Sequence, residues 1–233
     1  MRAFILVAVI GLVGCIDDLD PAWSLEHDRV IAVRMSSPSL TSGQTATMDA
    51  LVAQAGSAVM QMPLEAAALQ APDSLAHVVA LDGTVTAPDA ATLAAARTEL
   101  GLVDQAAVPL DVYAAFADRD GKPMYAKKRV WLDDPADPTA IVNPAPPLAS
   151  MDGAPMSDDA LVVARTHDVY LSTTVPDGWR VNWFSSCGTL FQDDVATSFM
   201  RIEDGDAVTG ELAVVVRTPG GGVAWRTWPI SAQ

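Results

Sequence analysis

The residue with the most legible chemistry is Cys15. It closes Leu12-Val13-Gly14-Cys15, behind Arg2 and an unbroken apolar run from Ala3 to Val13. A basic start, a short apolar core and small residues before a cut are the parts of an export signal, and the run is too short to anchor the chain across a bilayer. A thiol just after the cut is the nucleophile that takes a diacylglycerol thioether before the preceding peptide is removed. Leu12, Val13 and Gly14 complete this lipobox, and Cys15 becomes the first residue of the mature chain.

No other set of residues has the spacing of a reaction. His27, His77 and His167 fall in separate segments, none at metal-ligand spacing from another, and read as surface or strand-end residues. Asp118-Arg119-Asp120-Gly121 and Asp204-Gly205-Asp206 alternate carboxylates beside glycine as calcium loops do. Asp118, Asp120, Asp204 and Asp206 are thus weak calcium candidates, although no Glu completes an EF-hand and Asp and Gly are what tight turns require. Asp193-Asp194 reads as solvated charge. No Gly-x-Ser-x-Gly elbow, P-loop or Gly-x-Gly-x-x-Gly precedes a helix, and Gly220 to Gly222 reads as a hairpin between strands. The sole basic cluster, Lys127-Lys128-Arg129, reads as protection of a strand edge. With Cys15 lipidated, Cys187 has no partner in the chain and is expected as a small buried residue at a strand end. Trp183 and Trp225 are expected in a core, and Trp179 and Trp228 are candidates for an exposed aromatic contact. The expectation is no catalytic residue, no cofactor and no firm metal site.

Charge narrows the partners. The chain has 233 residues with 29 acids and 14 Lys+Arg; losing Arg2 with residues 1–14 leaves 219 residues and 13 cations, a balance of −16. Such a surface repels nucleic acid and anionic lipid alike, so membrane attachment is expected through acyl chains on Cys15 rather than through protein charge. In enterobacterial lipoproteins an Asp after the lipidated Cys favours retention in the inner membrane, so by resemblance to them Ile16 implies onward sorting to the outer membrane.

The elements that must position any site come in two groups. Six of the sixteen prolines fall between Asp133 and Pro155, and proline removes backbone donors and favours extended neighbours. The expected order is therefore a signal peptide (1–14), a lipidated tether (15–21), an N-terminal β-sandwich-like domain (22–132), a Pro-rich linker (133–156) and a C-terminal β-sandwich (157–233). In the C-terminal part, 168–175, 179–185, 197–202, 212–217 and 223–230 are runs rich in β-branched and aromatic residues between Gly, Pro and Asp turns. Leu212 to Val216 is apolar on both faces, as in a central strand. In the N-terminal part Arg29–Arg34 opens as a strand, Val108–Phe116 and Met124–Leu132 form a closing hairpin, and Met48–Val52 is read as a strand although its pattern fits a helix equally well. Pro88 to Gly101, with Pro near its start, an alanine-rich body and a terminal Gly, predicts one short inserted helix.

The lipobox, the Trp23–Met35 opening, Thr41-Ser42-Gly43-Gln44-Thr45 before a strand, and the pair Trp183-Phe184-Ser185-Ser186-Cys187-Gly188 and Gly220-Gly221-Gly222-Val223-Ala224-Trp225 resemble uncharacterised bacterial lipoproteins with tandem immunoglobulin-like β-sandwiches. The disulfide that joins the two sheets of antibody domains is absent. The resemblance implies a mainly β fold of two such sandwiches and a non-catalytic envelope module that binds or assembles with another envelope protein or a glycan. A cell-wall or carbohydrate hydrolase, which needs acids such as Asp193 and Asp194 to converge in a cleft, and a purely structural spacer are the alternatives.

Overall fold

The computed structural model describes residues 21–133 and 141–233. Leu12, Val13, Gly14 and Cys15 lie outside the described residues. Among those described, no helix is long and apolar enough to cross a membrane.

The N-terminal part contains β1 (Arg29–Met35), β2 (Ser39–Thr41), β3 (Thr45–Ala46), β4 (Met48–Gln54), β5 (Ser57–Gln61), β6 (Glu65–Leu69), β7 (Val85–Thr86), α1 (Ala90–Leu100), β8 (Val108–Ala117) and β9 (Pro123–Asp133). The C-terminal part contains β10 (Ala149–Met151), β11 (Ala154–Pro155), β12 (Leu161–Val163), β13 (Asp168–Thr173), β14 (Arg180–Ser185), β15 (Thr189–Phe191), β16 (Thr197–Arg201), β17 (Thr209–Arg217) and β18 (Val223–Ala232).

In the C-terminal sandwich strict alternation sets the faces: Val169, Leu171 and Thr173 of β13 point inward while their neighbours are less buried. One sheet runs β11-β10-β13-β16-β15, the other β12-β18-β17-β14, with β12 parallel to β18. Strands β10, β13, β16 and β15 stand in the A-B-E-D order, and β18, β17 and β14 in the G-F-C order, of an immunoglobulin sandwich. Trp183, on the C-position strand, is fully buried and its indole N–H donates to the Val195 carbonyl at 3.0 Å. Trp225 and Trp228 reverse the expectation. Trp228 is fully buried, donating to the Ser157 carbonyl at 2.9 Å, while Trp225 lies on the opposite face of β18 and is only partly buried. Both faces of β18 carry apolar residues, so the sequence does not fix which one is inside.

The N-terminal sandwich repeats half of this plan. Its sheet β2-β9-β8-β6 again has a short strand parallel to the last one. The facing sheet is β1-β4-β5, so Met48–Val52 is a strand, and β5, entering by a tight hairpin from β4, takes the place an E strand would hold. Between β6 and β8 the chain instead forms a 3-10 turn, the short strand β7, which pairs back with β3, and α1. The helix begins where the Asp89 carboxylate accepts the Thr92 N–H at 2.8 Å and stops at Gly101, whose φ of 65° suits a residue without a Cβ. Met35, Met48, Leu93 and Phe116 fill this core.

A third apolar core joins the two sandwiches. Strand β4 sends Met48, Ala50 and Val52 into its own core and Leu51 and Ala53 outward; β17 sends Leu212, Val214 and Val216 inward and Ala213 and Val215 outward. The outward residues meet, with Leu25, Ile31, Ala32, Phe184 and Val223 around them. This is why Leu212–Val216 is apolar on both faces. A β-bulge in β1, where Val30 faces Val52 and Ala32 faces Leu51, leaves Ile31 as the extra residue, so that consecutive Ile31 and Ala32 both reach the shared core.

Two segments sit differently from their expected places. Trp23 to Leu25, placed by sequence in the N-terminal domain, run beside β14: the Ser185 N–H donates to the Trp23 carbonyl and the Leu25 N–H to the Ser185 carbonyl, both at 2.9 Å. Residues 149–155, read as linker, form β10 and β11 of the C-terminal sandwich, and of the described linker prolines only Pro155 falls within a strand. Upstream, Asn143 brackets both sandwiches, its Nδ2 donating to the Met35 carbonyl at 2.6 Å and its Oδ1 accepting from the Val223 N–H at 3.0 Å. The chain passes so near the last hairpin that a Cβ on Gly222 would stand 2.3 Å from the Val142 oxygen.

Candidate functional site

At one end of the shared core the sheets part and leave a cleft of about 610 Å³. Its walls are β1 and β9 on one side and the ends of β14, β17 and β18 on the other. Apolar patches of Val30, Val33 and Pro219 alternate with three cations, Lys128, Arg180 and Arg217.

Register explains the convergence. Arg180 and Arg217 are directly opposite one another in the antiparallel β14–β17 pair, hence on the same face of the sheet, an arrangement in which like charges destabilise the pairing. Arg217 is held at two points: Nη1 donates to Asn182 Oδ1 at 2.7 Å and Nη2 to the carbonyl of Ile31, the bulged residue, at 2.8 Å. The Arg180 side chain makes no hydrogen bond or ion pair with the described residues. Lys128 comes from the other sandwich and is only 9% exposed, with Nζ donating to the Gly221 carbonyl. Removal from water, with the Arg217 charge nearby, lowers its pKa from the ordinary 10.5 to about 8. Burial, then the Arg180 charge, lowers that of Arg217. No Asp or Glu lines the cleft among the described residues.

Lys128 therefore does not protect an edge as the sequence suggested. It turns inward between Lys127 and Arg129, which alternate to the other face and share Asp111 at 3.4 and 2.8 Å. Sequence singled out Lys128 but missed Arg180 and Arg217, thirty-seven positions apart and brought together only by strand register. The one available signal was a two-faced apolar run, Leu212–Val216, ending on an arginine.

The remaining candidates stay apart. Asp118 Oδ1 accepts from the Asp120 and Lys122 N–H groups at 2.8 and 2.7 Å, and Asp206 from the Glu203 N–H at 2.7 Å, so both loops use these carboxylates to close turns. Asp204 is 3.9 Å from Arg165. His167 Nδ1 lies 2.8 Å from the Arg165 carbonyl, and His77 is exposed. Among the described residues no three His, Cys, Asp or Glu side chains are grouped to hold a metal ion. Asp193 contributes its backbone carbonyl to the Trp183 N–H, and Asp194 is exposed. Cys187 is buried, which pushes its thiol pKa up. Trp179 is half-buried in a shallow groove of about 370 Å³ walled by Pro144, Pro146 and Pro147.

The strand order thus defines a pair of immunoglobulin-like sandwiches joined around one cationic cleft. No known family matches the chain, and no curated protein does. Among solved structures, it is similar at 17% identity and a TM-score of 0.32 to a nucleoside hydrolase-related hypothetical protein from Saccharophagus degradans associated with carbohydrate metabolism; the match covers 42% of this chain and 28% of that one. Murine CEACAM1b matches at 11% identity over 87% of this chain and all of its own, with a TM-score of 0.29. The Bacteroides ovatus mixed-linkage glucan utilization protein SGBP-B, solved with a heptasaccharide, matches at 10% identity over 89% of this chain and 45% of its own, with a TM-score of 0.19.

Proposed function

We propose that the chain is a non-catalytic envelope lipoprotein, held to the membrane by acyl chains on Cys15, that uses the cleft between its sandwiches to bind a ligand presented by another envelope protein or a glycan. One observation carries this reading: Lys128, Arg180 and Arg217 converge from both sandwiches on a single cleft without a carboxylate among the described residues. Hydrolysis would need a positioned acid and base. The cleft offers fixed donors on rigid strands instead, which suits recognition.

The test is crosslinking in cells, envelope fractionation and affinity capture followed by mass spectrometry, with Cys15→Ser as control. The reading predicts membrane fractionation lost in Cys15→Ser, and a specific envelope protein or glycan recovered with the wild type and lost when Arg180 is replaced by Ala. A Cys15→Ser chain that still fractionates with membranes, or a capture indifferent to Arg180, would contradict it.

A further inference from the structure

Resting on that reading, we infer that the cleft is an oxyanion site: it receives a carboxylate or phosphate group of a small acidic ligand, held by Lys128, Arg217 and Arg180.

The charge inventory makes these cations exceptional. With 29 acids for 14 bases, a cation in this chain finds a carboxylate easily. Arg34, Arg119, Arg129, Arg165, Arg201 and Arg226 each lie within 3.9 Å of one. Among the described residues Lys128, Arg180 and Arg217 have none; Arg97, which donates to the Ala106 carbonyl, also lacks one but lies elsewhere, whereas these three line a single cleft. Two are substantially withdrawn from water, where an unneutralised charge is expensive unless something compensates it.

The donors that hold the cluster are neutral. Arg217 is oriented by an amide oxygen and by the Ile31 carbonyl, and Lys128 by the Gly221 carbonyl. Neutral acceptors fix direction without cancelling charge. A guanidinium has five N–H donors and an ammonium three, so after these three bonds both groups keep donors for a ligand. A bound oxyanion would gain charge-assisted hydrogen bonds and relieve the repulsion between Arg180 and Arg217 at once. The bulge in β1 fits this assignment, because it frees the Ile31 carbonyl from the ladder to steer Arg217.

Size and walls limit the ligand. A cleft of about 610 Å³ lies in the ordinary range for small molecules. Val30, Val33 and Pro219 offer apolar surface to the body of the ligand while the cations take its charged end.

The experiment is titration calorimetry on the detergent-solubilised full chain with three probes: inorganic phosphate, glucuronate, and neutral glucose. Binding by phosphate, by glucuronate or by both is expected, and which of the two binds identifies the source of the oxyanion; glucose should give no heat. Arg180→Ala, on a side chain without a hydrogen bond or ion pair among the described residues, should weaken the anion about tenfold or more, a lost charge-assisted bond. Lys128→Met should do the same in a folded protein verified by circular dichroism. No anion binding, or anion binding that neither variant weakens, overturns the assignment. Glucose binding that matches glucuronate would also overturn it while leaving the cleft as a ligand site, and a partner still captured in cells would preserve the broader reading.

Discussion

Arg217 Nη2 donates to the carbonyl of Ile31 at 2.8 Å, and this bond joins the two sandwiches at the mouth of the cleft. The donor stands at the end of β17, the acceptor on the extra residue of the β1 bulge. Behind it Leu51, Phe184 and Val215 are packed together, and further ties follow: Ala58 N–H to Glu211 Oε2 at 2.9 Å, and Arg34 stacked 4.0 Å over Trp225. The cleft is thus a consequence of how two sheets share a core.

Leu51 is fully buried between the sandwiches. Leu51→Ala should destabilise by roughly 2–5 kcal/mol, because the facing sheets are too rigid to collapse onto the space left behind. Equilibrium unfolding in urea measures this, and a loss below about 1 kcal/mol would mean the shared core is loosely held.

Lys128 makes stability depend on alkaline pH. Its folded-state pKa, about 8, lies below the ordinary 10.5, so between those values the unfolded chain binds more protons and stability rises with pH. The penalty for the buried charge is fully present below pH 8. Lys128→Met should remove that slope, and anion binding by the wild type should weaken as pH rises through about 8. Urea midpoints from pH 7 to 10 report the first effect and calorimetric titration the second.

Asp28 acts at the other end of the pH scale. Its carboxylate accepts from the Arg119 side chain and N–H and from the Ala55 N–H, tying the β8–β9 turn to the β4–β5 turn. These bonds, the Arg119 side chain first, lower its pKa from 3.8 to about 2. A depressed carboxylate stabilises the fold above its unfolded value and ceases to do so as pH falls from about 4 to about 2. Asp28→Asn should reduce the acid dependence of the melting temperature in that window and leave it lower at pH 7.

Cys187 should be inert in the native protein. Burial raises its thiol pKa and blocks access. Alkylation by iodoacetamide at pH 8 should proceed only after denaturant is added; rapid native labelling would show that the strand end opens.

Much of this fold is legible where one face is polar. The long strands of the C-terminal sandwich, the β8–β9 hairpin and the α1 helix with its Asp89 and Gly101 ends all follow from alternation and caps. Legibility ends where both faces are buried. Leu51 and Val215 lie beside inward-facing apolar neighbours, so nothing in the pattern separates the shared core from the two private ones, and Trp225 and Trp228 exchange their expected faces for the same reason. The two- and three-residue strands β10 and β11 are hidden by the proline-rich run before them. The cleft depends on a bulge and on the register of β14 against β17, and neither has a signature in residue type.

The most direct test of a shared core is differential scanning calorimetry of the full chain carrying Cys15→Ser. One cooperative transition is predicted, with calorimetric and van't Hoff enthalpies equal, and Leu51→Ala should lower and split it. Two separate transitions in the unsubstituted core, insensitive to Leu51, would show that the sandwiches fold independently and that no fixed cleft lies between them.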